Sequence, residues 1–268
     1  MFGLVPQIVQ IGTEVASVQI RGLRKAFGDQ IVLNGVDLDL RHDENLALFG
    51  VSGSGKSVLI KCILGLIEPD AGSICIGGRE TVRLRRADRL AVNRKIGVLF
   101  QNGALFDSLP VWQNVAFEQL SVRDAPPFEA RARAADALAN VGISSDIIDL
   151  LPADLSGGMQ KRVALARALF GDPKIVLLDN PTAGLDPVLT AIIDSFIASS
   201  LQRLNATALT ITYDLRSATR IAQRAAFLAD GRIVWEGSMA AIWTAAQPEV
   251  QRFLRSSGAH SHDGFPEP

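Results

Sequence analysis

Residues 50–57 read Gly50-Val51-Ser52-Gly53-Ser54-Gly55-Lys56-Ser57. The spacing G-x-x-x-x-G-K-S is that of a loop that cradles phosphate. The apolar run 45–49 before it is short enough for a buried strand, and Val58, Leu59, Ile60, Cys62, Ile63 and Leu64 after it give an apolar helical face. Strand, glycine loop and helix together are the context that gives the spacing a mechanism. The glycines let backbone N–H groups curl around phosphate oxygens, and the positive end of the next helix adds to that field. Lys56 is expected to reach the terminal phosphates and Ser57 to offer its hydroxyl to Mg²⁺.

Working outward, the 268 residues allow one large α/β domain, or a domain with a small subdomain. A net charge of −1 removes the electrostatic case for a nucleic-acid partner. The two cysteines, Cys62 and Cys75, sit in apolar segments and suggest neither a disulfide framework nor a metal site. No apolar run reaches membrane-spanning length, and residues 1–16, read as an arm, lack the basic start of a signal peptide.

Residues 17–23 and 31–40 alternate apolar with polar side chains, predicting antiparallel strands with one wet face. Between them Lys25-Ala26-Phe27-Gly28 places an aromatic ring before the loop, either to stack on a base or as an ordinary turn residue. Residues 81–95 carry five arginines, with Leu84, Ala87, Leu90 and Ala91 at helical spacing. They read as a solvated charged face or as a basic patch for lipid headgroups or a membrane partner. Residues 96–100 are a strand ending at Gln101. Residues 103–153 are punctuated by Pro110, Pro126, Pro127 and Pro152 and read as a helical insertion, including a helix over 128–141 stopped by Gly142. Strands are expected at 175–178 and 208–212, a helix at 187–204 after Pro187, and a hairpin around Asp230-Gly231. Ser238 is expected to cap a last helical stretch. The tail after Ser256 is polar, and its His260 and His262 read as tail rather than metal ligands.

Two further stretches carry chemistry. Asp179 ends the apolar run Ile175-Val176-Leu177-Leu178, where ligands of open α/β sheets bind, and is a candidate for Mg²⁺. In Leu155-Ser156-Gly157-Gly158-Met159-Gln160, Ser156 is a good N-cap and two glycines leave backbone N–H groups bare. One nucleotide does not easily use two helix termini of one chain. Two chains head to tail, each loop facing the other's Ser156 helix, resolve this.

In order along the chain, Gly50–Ser57, Gln101, Leu155–Gln160, Ile175–Asp179, Ala183-Gly184-Leu185-Asp186 and Tyr213 resemble the nucleotide-binding subunit of an ATP-binding cassette (ABC) transporter. The resemblance covers residues 17–245 and implies an α/β P-loop NTPase of ABC type, with a mainly parallel core, an antiparallel β-subdomain and a helical subdomain over about 103–170. Residues 246–268 would be a C-terminal helix and polar tail. It implies ATP and Mg²⁺ as ligands. It places ATP against Phe27, Gly50, Ser52, Gly53, Ser54, Gly55, Lys56, Ser57, Val58 and Asp179. Ser156, Gly157 and Gly158 would meet the partner's ATP, and Asp186 would communicate across the dimer. Mg²⁺ would meet Ser57, Gln101 and Asp179, with Gln101 also at the attacking water. Phe100-Gln101-Asn102-Gly103-Ala104-Leu105-Phe106-Asp107-Ser108-Leu109, the run from Ser156 to Ala168 and the extended end around 248–254 are similar to the ATPases of Mla/Mce-type lipid transporters. That implies phospholipid or sterol-like cargo, integral permease subunits, an Mce-type lipid-binding protein, and a place on the cytoplasmic face of a bacterial inner membrane.

Two positions depart from the family. A glutamate is expected after Asp179 and this chain has Asn180; a histidine is expected at Tyr213. Both fall at the γ-phosphate end, so binding is expected to survive better than turnover. Three readings follow: an ATPase with relocated catalysis that leans on Gln101, a slowly hydrolysing nucleotide-gated clamp, or the degenerate-site half of a heterodimer. A substitution made to trap ATP would look the same. A repair or translation protein is disfavoured because no long coiled coil and only one cassette is present. A P-loop GTPase or kinase would leave Leu155–Gln160 unexplained.

Overall fold

A computed structural model describes residues 17–122 and 125–257. The arm 1–16 and the histidines of the tail lie outside them. Among the described residues ten strands run in chain order: β1 Val18–Phe27, β2 Gln30–Leu40, β3 Asn45–Phe49, β4 Ala71–Ile76, β5 Arg79–Glu80, β6 Ile96–Leu99, β7 Ile175–Asp179, β8 Thr207–Ile211, β9 Arg224–Ala229 and β10 Arg232–Ser238. The helices are α1 Lys56–Ile63, α2 Arg86–Asn93, α3 Val111–Val115, α4 Phe117–Val122, α5 Pro127–Ala139, α6 Gly157–Leu169, α7 Pro187–Leu204, α8 Leu215–Ile221 and α9 Pro248–Ser256.

One sheet has the order β2-β1-β4-β5 and is antiparallel; the other has the order β10-β9-β3-β8-β7-β6. Strands β9, β3, β8, β7 and β6 are parallel, and only β10 at the edge runs against its neighbour. Strands β3, β7 and β8 are buried at every residue, which is why they read as unbroken apolar runs. Their side chains still alternate between two cores. Leu46, Leu48, Leu177 and Leu209 meet α1 and the antiparallel sheet, while Ala47, Phe49, Val176 and Leu178 meet the helical side. The hairpin at Asp230-Gly231 forms with both residues at positive φ, 49° and 70°, as a tight two-residue turn requires.

Helices α3, α5 and α6 pack on one another, and α6 also lies on β6. The close approach is made possible by Gly97, where a Cβ would run into the Ala168 carbonyl. Gly97→Ala is expected to destabilise the chain by about 2–3 kcal/mol, read as a lower urea midpoint. Helix α9 is part of the packed core. Phe253 of α9 packs on Phe49 and Phe227 at ring-centroid distances of 5.4 and 5.5 Å, so α9 backs the strand that leads into the glycine loop.

Two expectations are corrected. Residues 81–85 are not helical: Thr81 N–H and hydroxyl both donate to Ile74 O (2.8 and 2.7 Å), and Arg83 has a φ of 61°, so α2 begins at Arg86. The arginines there are paired only in part, and Arg86 and Arg94 are exposed. Arg79 and Arg85 each bond Asp88 at 3.0 Å, Arg83 pairs with Glu68 at 3.5 Å, and Arg89 turns inward to Ile63 O and Thr81 O. Ser238 does cap a helical stretch, with Oγ accepting from Ala241 N–H at 3.3 Å, but that stretch is the 3₁₀ turn Met239–Thr244.

Candidate nucleotide-binding site

The glycine loop leaves the C-terminal end of β3 and enters α1 with Gly55 as its N-cap. Gly50 has a φ of 150° and no room for a Cβ against Leu228 O; Gly53 and Gly55 sit at 79° and 102°. A Cβ on Gly55 would lie 2.9 Å from Val32 O, so β2 presses on the loop. The β1–β2 hairpin thereby brings Phe27 to the same edge. Its ring is 49% exposed and lies 5.4 Å from Lys25 Nζ, available for stacking. Ser52 and Gly53 are exposed at the crest of the loop. Val58, in contrast, packs its side chain into the core, so only its helix-terminal N–H can face a phosphate.

Lys56 is 4% exposed. Its ammonium donates to Gly50 O and Val51 O at 2.8 Å each and to Ser54 Oγ at 3.2 Å. The ring of Tyr213 lies over it, 4.5 Å from Nζ to centroid. Burial pushes the Lys56 pKa down to about 8, and the nearby Asp179 carboxylate pulls it partly back. Asp179 closes β7 and is 6% exposed. Its Oδ1 is buried without a hydrogen-bond partner. A buried carboxylate oxygen left open in this way fits a hard cation. With the Ser57 hydroxyl at the start of α1, it gives the oxygen donors that Mg²⁺ prefers. When bound, that ion would neutralise charge on the terminal phosphates.

Asn180 follows Asp179 with a φ of 48°. Its N–H donates to Ile211 O at 2.9 Å and its carbonyl accepts from Ala183 N–H at 3.2 Å, so its backbone is fixed on both sides. Gln101, just beyond β6, is exposed at the same sheet edge. One cluster therefore holds the loop, Asp179, Asn180, Tyr213 and Gln101, with Phe27 at its margin.

The remaining residues gather elsewhere. Ser156 caps α6 by accepting from Met159 N–H at 3.3 Å, and Ser156 and Gly157 are exposed. A Cβ on Gly158 would meet Leu189 of α7 at 3.2 Å. Asp186 caps that same helix, accepting from Val188 N–H (2.9 Å) and Leu189 N–H (3.0 Å). Its carboxylate is thus used within its own chain.

Sequence reasoning missed three residues here. Lys161 of α6 donates to the carbonyl of Gln101, and Arg167 donates to those of Gly103 and Ala104. Burial lowers both pKa values, and Asp179 partly restores that of Lys161. These two cations tie the loop after Gln101 to the helix that Ser156 begins. Asp214 caps α8, accepting from Arg216 N–H (2.8 Å) and Ser217 N–H (3.3 Å), and so fixes the backbone beside Tyr213. Only Asp214 left a local trace, an Asp immediately before a helical run.

The ABC transporter family profile matches residues 33–183. A chloroplastic protein of Arabidopsis thaliana named TRIGALACTOSYLDIACYLGLYCEROL 3 is 35% identical over 256 residues, covering 90% of this chain and 74% of its own length. The probable ribonucleotide transport ATP-binding protein mkl of Mycobacterium leprae (strain TN) is 35% identical over 238 residues, 89% of this chain and 68% of the relative. Among solved structures, a dimeric post-hydrolysis ATP-binding cassette bound to ADP and Pi superposes with a TM-score of 0.77 at 30% identity, covering 83% of this chain and 98% of that one.

Proposed function

The chain belongs to the ABC transporter family as an ATP-binding subunit, and on that premise we propose that it binds MgATP between two subunits, hydrolyses it slowly and drives lipid movement through a membrane permease. Residues 17–245 form the nucleotide-binding unit in this reading, with 103–170 as its helical subdomain. The observation that carries slow turnover is Asn180, an amide where a base for water is needed beside Asp179. Loop N–H groups and Lys56 hold the phosphates, Ser57 and Asp179 hold Mg²⁺, Phe27 stacks on the base, and Gln101 orients water. The exposed Ser156 helix start and the α7 start capped by Asp186 face the second subunit.

Lipid cargo rests on the residues similar to Mla/Mce-type ATPases and on the galactolipid in the Arabidopsis relative's name. The mycobacterial relative's name offers ribonucleotide as the other outcome. Among the described residues no helix is long and apolar enough to cross a membrane. In the proposed reading the chain acts on its permease from the cytoplasmic face. Stimulation of ATP turnover by phospholipid, in liposomes holding the chain with its co-purified permease, tests the cargo. Stimulation by ribonucleotide instead would overturn it. The intact Ser156 cap supports a second reading, in which this chain completes the site of a different, catalytically intact subunit.

The permease contact is proposed at Phe106, Leu150 and Leu151, exposed apolar side chains beside the half-buried Trp112. Leu150 O accepts from Val111 N–H at 2.9 Å, and the Phe106 ring rests on Phe117 at 4.3 Å. Such a surface suits the apolar face of a helix. Phe106→Ala is expected to leave ATP affinity within about twofold and to abolish stimulation of turnover by the permease, since rim and buried anchors differ in this way. Equal loss of ATP binding would exclude the assignment.

A further inference from the structure

We infer that a cavity at the end of the core sheet away from the glycine loop binds a small anionic amphiphile, one acidic head on a linear aliphatic tail. This site lies outside the nucleotide-binding cluster. Strands β3, β8, β7 and β6 run parallel. The glycine loop leaves the C-terminal end of β3, and the cavity opens at the other end, beside Lys95 before β6 and Ile175 at the start of β7. Its volume is about 500 Å³, within the roughly 300–1,000 Å³ of small-molecule sites. The floor is aliphatic: Ile76 closing β4, Val92 of α2 and Ile175 are buried in one core cluster. No Phe, Tyr or Trp lines the cavity, so a flexible alkyl chain fits it better than a stacked ring.

The rim is cationic. Lys95, Lys174 and Arg79 line it, and no Asp or Glu does. Main-chain bonding holds the two lysines side by side, since Lys174 N–H donates to Lys95 O at 3.0 Å. Both are exposed, and among the described residues neither is in an ion pair; Lys174 Nζ donates to Leu204 O at 3.4 Å. Arg79 pairs with Asp88 at 3.0 Å. The buried Ser17 spends its hydroxyl on His42 Nδ1 (3.0 Å) and Thr207 Oγ1 (2.8 Å), which leaves the lysines as the groups that can take an anionic head. Charge-assisted bonds from them hold the head, while the floor removes the tail from water. A free inorganic anion has the head alone and gains nothing from the floor.

The test is titration calorimetry of acetate, octanoate and decanoate, each below its micelle-forming concentration. It uses the full chain and two variants, Lys95→Ala with Lys174→Ala, and Ala91→Trp. The parent is expected to bind decanoate about tenfold more tightly than octanoate, as two more buried methylenes require, and acetate not measurably. MgATP should leave the decanoate affinity within about twofold, because the two sites lie at opposite ends of the sheet. The double lysine variant should lose about tenfold for decanoate and nothing for decanol, which has the tail without the charge. Ala91 is exposed on α2 where it lines the cavity, so Ala91→Trp should block decanoate and keep the parent's urea midpoint. Failure of the parent to bind decanoate, or unchanged binding in either variant, overturns the inference. So does acetate binding as tightly as decanoate, which would mean a bare anion site. Displacement of decanoate by MgATP would put it in the glycine loop and overturn the inference equally.

Discussion

The Asn180→Glu, Tyr213→His double variant is expected to release phosphate from ATP at least about tenfold faster than the parent chain, because a missing general base costs about 10²–10⁴ in rate. The amide of Asn180 cannot accept the proton of attacking water. A glutamate would start from the same backbone, since Asn180 N–H and C=O are both bonded. It would be buried beside Asp179, and burial with a like charge raises a carboxyl pKa toward the range of a working base. The substitution also has a cost. With a φ of 48°, residue 180 lies in the left-handed region that asparagine tolerates and glutamate does not favour, which costs about 1–2 kcal/mol. Faster turnover with a lower melting temperature is the expected pair of results. Turnover at ordinary transporter rates in the parent would end the impaired-site reading.

Arg224→Met is expected to destabilise the fold by about 3 kcal/mol near neutral pH. The guanidinium opens β9, is nearly buried, and lies between Glu44 and Glu236 while donating to Asp39 O at 3.3 Å. Removing it leaves Arg41, at 4.0 Å, to face the Glu44 carboxylate, whose burial already raises its pKa against the pull of both arginines. A carboxyl whose folded pKa lies above its unfolded value destabilises the fold at high pH. That penalty fades as pH falls through the folded pKa. Losing Arg224 raises the folded pKa further. The gap between variant and parent should therefore be widest at pH 7–8 and shrink toward pH 5 in urea unfolding. An equal gap at both pH values would show that lost packing, not the Glu44 carboxylate, is the cause.

How much was legible follows from how local each signal is. Helix α7 has the bounds expected from Pro187 and its apolar spacing, and the hairpin at Asp230-Gly231 from a dipeptide. Residues 81–85 misled because Thr81 bonds backward to Ile74, a choice that apolar spacing along the stretch cannot reveal. The sequence by itself determined the phosphate-binding loop, the buried parallel strands and the Ser156 cap, each written in residues a few positions apart, and the family, written in the order of such motifs along the chain. Only the tertiary structure decided that Tyr213 covers Lys56, that Lys161 and Arg167 of α6 hold the carbonyls after Gln101, that Asp179 keeps an open oxygen and that Arg224 bridges Glu44 and Glu236. Those pairs lie far apart along the chain, and what joins them is the parallel sheet, which brings the ends of distant strands to one edge where charge and burial act over a few ångströms.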